Sequence, residues 1–237
     1  MNYRSIVLKL SGEALAPTDR LGIDQEKLAH YTQELSDAYQ TGVQLILVVG
    51  GGNLWRGKDA GTLGITTTEG HHMGMLATMI NSLALRDALR QSGLPVTLFS
   101  RLPMPTLCPA YQVKEALQAV EERHIVMVGG GLGVAHFSTD TAAIATALDL
   151  RADICLKGTR VDGVYPKDPA LHPEGVPYEQ VSLATVWEQK LRVMDMTAIS
   201  LAQDNELPII VYNAQKKGTL KKVLEGGREG TLLVADV

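Results

Sequence analysis

A lysine sits inside an apolar run, Ser5-Ile-Val-Leu-Lys9-Leu10, and the run ends at once in Ser11 and Gly12. Burying an ammonium is costly unless a counter-charge is in reach, so Lys9 wants an anion where the run stops. A phosphate held by backbone N–H groups at Ser11 and Gly12 supplies one, and an edge lysine facing water is the plainer alternative. A second apolar run, Leu45 to Val49, stops in Gly50-Gly51-Gly52-Asn53 and then reaches Arg56 and Gly57. Glycines let backbone N–H groups approach a ligand without a Cβ in the way, Asn53 can cap a helix, and Arg56 can fork onto phosphate or carboxylate oxygens. The device recurs where Met127-Val128 opens into Gly129-Gly130-Gly131-Leu132-Gly133. Two strand-to-glycine loops at neighbouring strand ends make a composite anion site. Ser138-Thr139-Asp140 follows, where any of the three can cap a helix and Asp140 can equally orient a lysine or a metal-bound phosphate.

The elements that must position these residues alternate between strand and helix. After the Lys9 strand, Asp24 caps a helix with Leu28, Tyr31, Leu35 and Ala38 at helical spacing, ending at Thr41-Gly42 before the Leu45 strand. Lys58 to Gly70 is rich in Gly and Thr and reads as a mobile connection, suited to a lid or a substrate-side loop. His71 to Arg90 reads as a long helix with Met73, Leu76, Ala77, Ile80 and Ala84 on its core face. His71 and His72 open that helix; adjacent residues cannot both face one ligand, so His71 either meets a ligand or is a solvated helix start. Further strands are expected at Pro95–Ser100, His124–Val128, Ala152–Lys157, Pro208–Tyr212 and Thr231–Val234. Helices are expected over Val113–Glu122, after Ser138, up to Lys190 and from Asp195. Between Gly158 and Pro169 lies a long loop with turns at Asp162-Gly163 and Asp168-Pro169, and Tyr165 there can stack on a base or simply pack. Strand, helix, strand in repetition is the rhythm of a parallel sheet, and with no linker or low-complexity segment the chain reads as one α/β domain of two lobes.

Composition removes several function classes. A chain of 237 residues with 45% hydrophobic content can bury a large core, and its net charge of −4 argues against a sequence-independent grip on nucleic acid or an anionic membrane. An anionic ligand must therefore be held by local devices. The two cysteines, Cys108 and Cys155, lack metal-site spacing and read as buried thiols of a reducing compartment. Met1-Asn-Tyr-Arg-Ser carries no signal-peptide core, and no run approaches the roughly 20 apolar residues of a membrane span. A soluble, cytoplasmic protein is expected.

Taken together, Lys9-Leu-Ser-Gly-Glu13-Ala14, Gly50-Gly-Gly-Asn-x-x-Arg56-Gly57, Met73-Gly-Met-Leu-Ala-Thr78, Ser138-Thr-Asp140, Val161-Asp-Gly-Val-Tyr165-x-x-Asp168-Pro169 and Val193-Met-Asp195 resemble the bacterial UMP kinases (uridylate kinases) of the amino acid kinase family. The resemblance runs through nearly the whole chain in the family's order. It implies a three-layer α/β sandwich with a mainly parallel eight-stranded central sheet. It also implies transfer of the γ-phosphoryl of ATP, carried with Mg2+, to UMP, by a homohexamer inhibited by UTP and activated by GTP. Position by position, it implies ATP-phosphate contacts from Lys9, Leu10, Ser11 and Gly12, with Gly52 and Arg56 near the transferred group. Thr159, Tyr165 and Asp168 match adenosine-binding positions, and Asp140 and Asp195 match acidic positions near the metal and lysine. Lys9, Arg56, Asp140 and Asp195 are thus the implied catalytic set, with no protein ligand to the metal, which rides on the ATP phosphates. UMP would lie against Gly51, His71, Leu132, Gly133, Val134, Ala135, His136, Phe137, Ser138 and Thr139. An N-terminal lobe would take the nucleoside monophosphate and a C-terminal lobe ATP.

The departures fall on the acceptor side. His71 stands where the family usually places an aspartate that meets the ribose hydroxyls of UMP, and the family's Gly-Thr-Gly-Asn-Pro loop is here Gly131-Leu132-Gly133-Val134-Ala135. An imidazole can still hydrogen-bond a ribose hydroxyl as donor or acceptor. Two other readings compete. One is an enzyme of this fold with another phosphate or a carboxylate acceptor, for which Lys157 is the candidate extra lysine. The other is a non-catalytic hexamer storing oxyanions or sensing nucleotides, with His71, His72 and His136 facing a cavity.

Overall fold

The computed structural model describes residues 3–18, 20–172, 174–191 and 193–235, with the backbone alone at 58. Met1 and Asn2, part of the N-terminal stretch read above, lie outside them. Eight strands form one sheet: β1 (Ser5–Leu10), β2 (Gln44–Val49), β3 (Val96–Ser100), β4 (Ile125–Gly129), β5 (Ile154–Thr159), β6 (Gln180–Ser182), β7 (Ile209–Asn213) and β8 (Thr231–Val234). Their spatial order is β3-β4-β2-β1-β5-β7-β8-β6, and every pairing is parallel except β7 with β8. All six residues of β1 are buried. A strand covered on both faces has no polar side to show, which is why these segments read as continuous apolar runs rather than alternating ones.

Helices cover both faces. One layer packs α1 (Gln25–Gln40), α2 (Thr67–Gln91) and α7 (Thr219–Leu224) against Ile6, Leu8, Leu10, Leu45 and Leu47. The other packs α3 (Val113–Glu121), α4 (Thr139–Asp149), α5 (Leu183–Glu188) and α6 (Met196–Asp204) against Val7, Ile46, Val48 and Cys155. The expected α/β sandwich of three layers is therefore present. Side-chain alternation along β1 sends Lys9 to the same side as Val7, under α4, and that placement decides the chemistry.

Two expectations need correction. The stretch from Lys58 to Gly70 is an ordered connection: Gly57–Leu63 forms a 3-10 helix, and α2 begins at Thr67 rather than His71. The cause is Thr66, whose side chain accepts from the Glu69 N–H at 3.4 Å. The first turn then packs so tightly on the 3-10 helix that a Cβ at Gly70 would stand 2.6 Å from that of Ala60. The core face of α2 also differs. Ala77 is buried as expected, but Leu76 and Ile80 are 47% and 53% exposed, and the buried stripe is Met75, Thr78, Met79, Ser82, Leu85 and Leu89. Thr78, and the neighbouring buried Asn81, bond to the glycine loops, so hydrophobicity alone favours the wrong face. Besides the 3-10 helices Gly12–Leu15 and Gly57–Leu63, one strand and one α-helix were not expected, β6 and α7; each is short, and α7 follows Gly218 with no side-chain cap.

Candidate active site

Neighbouring strands β1 and β5 place Lys9 opposite Lys157, so two lysines emerge side by side on the α4 face. Both are 91% or more buried, at 7% and 9% exposure, and two adjacent ammonium groups there require an anion. Asp140, in the first turn of α4, supplies it: its carboxylate lies 2.7 Å from Lys9 Nζ and 2.7 Å from Lys157 Nζ. The helix N-terminus adds its own partial positive charge behind that carboxylate. Burial alone would raise the Asp140 carboxyl, but Lys9 and Lys157 outweigh it and hold it at about 2. Burial pushes the Lys157 ammonium below its usual value; Asp140 counters that and Lys9 adds to it. Lys157 also donates to the Val193 carbonyl.

Asp195 lines one cavity with Asp140 and Lys157, close enough for its charge to favour the Lys157 ammonium. It caps α6, accepting from the Ala198 N–H at 3.0 Å, and receives the hydroxyls of Thr141, at 3.1 Å, and of Ser138. Ser138 in turn caps α4, its Oγ accepting from the Asp140 N–H at 2.9 Å. Asp195 thus ties the start of α6 to the start of α4 and fixes where Asp140 stands.

The two glycine loops sit at the ends of β2 and β4, which are hydrogen-bonded neighbours. Asn53 does not cap a helix. It is 2% exposed and pairs amide to amide with Asn81 of α2, at 3.0 and 2.6 Å, while Asn81 also donates to the Gly50 carbonyl at 2.7 Å. A buried reciprocal pair leaves few amide groups unsatisfied, and it pins the first loop to the helix. The Gly130 N–H of the second loop donates to Thr78 of the same helix at 2.9 Å. Against this frame the β1 turn approaches so closely that a Cβ on Gly12 would stand 2.6 Å from Asn53 Oδ1, Gly50 O and Gly52 N. Two of those are backbone atoms that cannot step aside. Gly12→Ala is therefore expected to cost about 1–3 kcal/mol of stability by overpacking and to depress turnover far more than distant surface changes; urea unfolding and initial rates would check both.

On the β5 side of β1, a cavity of about 820 Å³ is lined by Lys9, Ser11, Lys157, Thr159, Tyr165 and Asp168 among others. These residues, scattered over the sequence, meet there as expected. Leu10 is 1% exposed with its side chain in the core, and it is not among the residues lining the cavity. Thr159 spends its hydroxyl on the Val161 and Tyr212 carbonyls, at 2.8 and 3.1 Å, which shapes the loop that carries Tyr165. Asp168 accepts from the Ala170 N–H at 2.9 Å and closes the turn. At the mouth, Arg56 pairs with Glu13, and Arg160 reaches the same carboxylate at 3.1 Å.

On the other side, Gly51 lies under α2, where a Cβ would meet Ala77 Cβ and the Gly74 carbonyl at 2.8 Å. Thr139 comes to the loop as well, its Oγ1 3.3 Å from where a Gly50 Cβ would be. Leu132 packs on the core, and Gly133 turns with φ +80° against Arg101. Val134 and Phe137 are 57% and 42% exposed, and Ala135 is half-buried. The ring centroids of His71 and His136 stand 4.9 Å apart, so the start of α2 and the second glycine loop meet. His72 points elsewhere, 3.5 Å from Glu69.

Three participants were not singled out for these roles: Lys157 as a partner of Asp140, and Glu13 and Arg160 at the cavity mouth. Lys157 carried a signal, since it breaks an apolar strand just as Lys9 does; Glu13 and Arg160 are ordinary surface charges in sequence.

Comparison with known proteins agrees with this geometry. The profile described as the amino acid kinase family matches residues 4–213. Uridylate kinases of Shigella dysenteriae serotype 1 and Escherichia coli K12 are each 42% identical over 231 residues, covering 98% of this chain and 96% of theirs. The crystal structure of UMP kinase from Bacillus anthracis superposes with a TM-score of 0.97 at 31% identity, over 100% of this chain and 98% of that one. UMP kinase from Ureaplasma parvum gives 0.92 at 31% identity, over 99% and 100%. Matched by the family profile over residues 4–213 and by relatives through nearly its whole length, the chain belongs to the amino acid kinase family.

Proposed function

We propose that this chain transfers the γ-phosphoryl group of ATP to UMP, giving ADP and UDP. The observation that carries the reading is the Lys9–Asp140–Lys157 cluster at the junction of the glycine loops and the donor cavity. Bringing two phosphate-bearing molecules together is opposed by their own charge, so such a reaction needs fixed cations and positioning rather than a covalent nucleophile. The acceptor phosphate oxygen is already deprotonated, and no general base is required. Lys9 neutralises the donor phosphates, Arg56 and the glycine N–H groups hold the transferred group, and Asp140 keeps both lysines aimed. ATP lies in the cavity of Thr159, Tyr165 and Asp168; UMP lies between Gly51, His71 and the Leu132–Thr139 segment. The donor thus occupies the C-terminal lobe and the acceptor the N-terminal lobe.

The donor set suits a magnesium ion that arrives with the nucleotide. Both oxygens of Asp140 already face ammonium groups, and among the described residues no three His, Cys, Asp or Glu side chains gather to hold a metal. Carried with the nucleotide, Mg2+ would supply charge neutralisation that the lysines do not. As the sequence resemblance implies, we take the enzyme to be a cytoplasmic homohexamer activated by GTP and inhibited by UTP, and Leu76 and Ile80, exposed on α2, offer apolar surface for subunit packing. Among the described residues no helix is long and apolar enough to cross a membrane. A storage protein has no need of a buried ammonium pair aimed at a donor cavity, which favours catalysis.

An ADP-release assay across UMP, CMP, dUMP and N-acetylglutamate tests the reading. UMP is expected to turn over fastest, with weaker rejection of dUMP than an aspartate at position 71 would give; no turnover with UMP would overturn it.

A further inference from the structure

Glu13 is out of place electrostatically. It follows Lys9, Ser11 and Gly12 on the first turn after β1, lines the donor cavity, and lies 3.7 Å from where a Gly52 Cβ would project into the cradle. A carboxylate there repels every phosphate the cradle is built to receive. Its partners explain it. Arg56 comes from the loop after β2 and Arg160 from the loop after β5, and β1, which carries Glu13, lies between those strands. Two guanidinium groups arriving from opposite sides repel one another and need a shared anion to converge. Past Glu13 lies a second cavity of about 510 Å³ with Arg20 and Lys27 on its wall beside Arg56 and Arg160.

We propose that Glu13 is a positioning residue of the transfer centre: it draws Arg56 and Arg160 to one point at the cavity mouth, and both pass from its carboxylate to phosphate oxygens when the donor enters. Arg160 thereby becomes a second guanidinium on the donor phosphates. The inference rests on the phosphoryl-transfer reading, but not on the identity of the acceptor. Exposed ion pairs are individually weak, so the exchange is cheap, and the side-chain exposures of 44%, 30% and 69% for Arg56, Glu13 and Arg160 leave them free to move.

The signature is a split between binding and turnover. Calorimetric titration with a non-hydrolysable ATP analogue and Mg2+ reads binding without an acceptor; initial rates with ATP and UMP read turnover. Glu13→Gln removes the competing charge and the organiser together, so the analogue should bind about threefold or more tighter while kcat falls about tenfold or more. Arg160→Met should weaken the analogue severalfold, and in the Glu13→Gln/Arg160→Met double variant kcat should be no lower than in the worse single variant. Weaker analogue binding in Glu13→Gln, a kcat within twofold of the parent, or multiplying effects in the double variant would each overturn the proposal. If the parent protein fails to phosphorylate UMP, the acceptor reading fails, and the titrations still decide the role of Glu13.

Discussion

Asp140→Asn is expected to be the most damaging single substitution in this chain. The amide keeps the shape of the side chain but removes the charge that lets Lys9 and Lys157 stand together in a site where neither is more than 9% exposed. Removing one partner of a buried ion pair typically costs about 3–5 kcal/mol, because the remaining charges stay buried without compensation. Lys157, whose ammonium burial already disfavours, is the group that would give up its proton. The cradle then loses a cation as well as its alignment, and kcat is expected to fall about 10³-fold or more. Acid titration provides an independent check. The native carboxyl sits at about 2 against an ordinary value of 3.8, so its stabilisation is fully present above about pH 4 and is lost as pH falls towards 2, on the order of 2 kcal/mol in all. Urea unfolding at descending pH should show that loss in the parent protein and not in Asp140→Asn.

Lys9→Met is expected to separate chemistry from folding. Methionine fills much the same volume, and Asp140 retains its contact with Lys157 at 2.7 Å, so the carboxylate is not orphaned. Stability should therefore suffer far less than in Asp140→Asn. Turnover should not escape, because Lys9 is the ammonium that the end of β1 delivers into the donor cavity. Loss of one preorganised charge at a developing transition state costs about 10²- to 10³-fold in kcat. The KM for ATP should rise while that for UMP stays close to the parent value, which initial rates with each substrate varied would show.

Much of this architecture was legible beforehand because its determinants are local. Asp24, Ser138 and Asp195 announce helix starts, and the structure shows each accepting from the N–H groups of its own first turn. Lys9 in an apolar strand demanded an anion, and Asp140 answers it. What stayed hidden depends on contacts between distant segments. The burial of Asn53 and Asn81 follows from an amide pair across 28 residues, and neither residue predicts the other. The inner face of α2 is polar where it meets the glycine loops, so periodicity favoured Leu76 and Ile80 instead. The register of β1 with β5 makes Lys157 a partner of Lys9, and strand pairing cannot be read from either strand alone. His71 and His136, 65 residues apart by their numbers, meet because the β4 loop folds back on the start of α2.

The central claim is that a phosphoryl group passes from ATP to the phosphate of UMP at the Lys9–Asp140–Lys157 centre. A rapid-quench single turnover with γ-labelled ATP, Mg2+ and UMP follows that group directly. The label should appear as the terminal phosphate of UDP, with the rate of its appearance reduced at least about a hundredfold in Lys9→Met. Label released only as inorganic phosphate, or labelled UDP formed at the parent rate in Lys9→Met, would contradict the account.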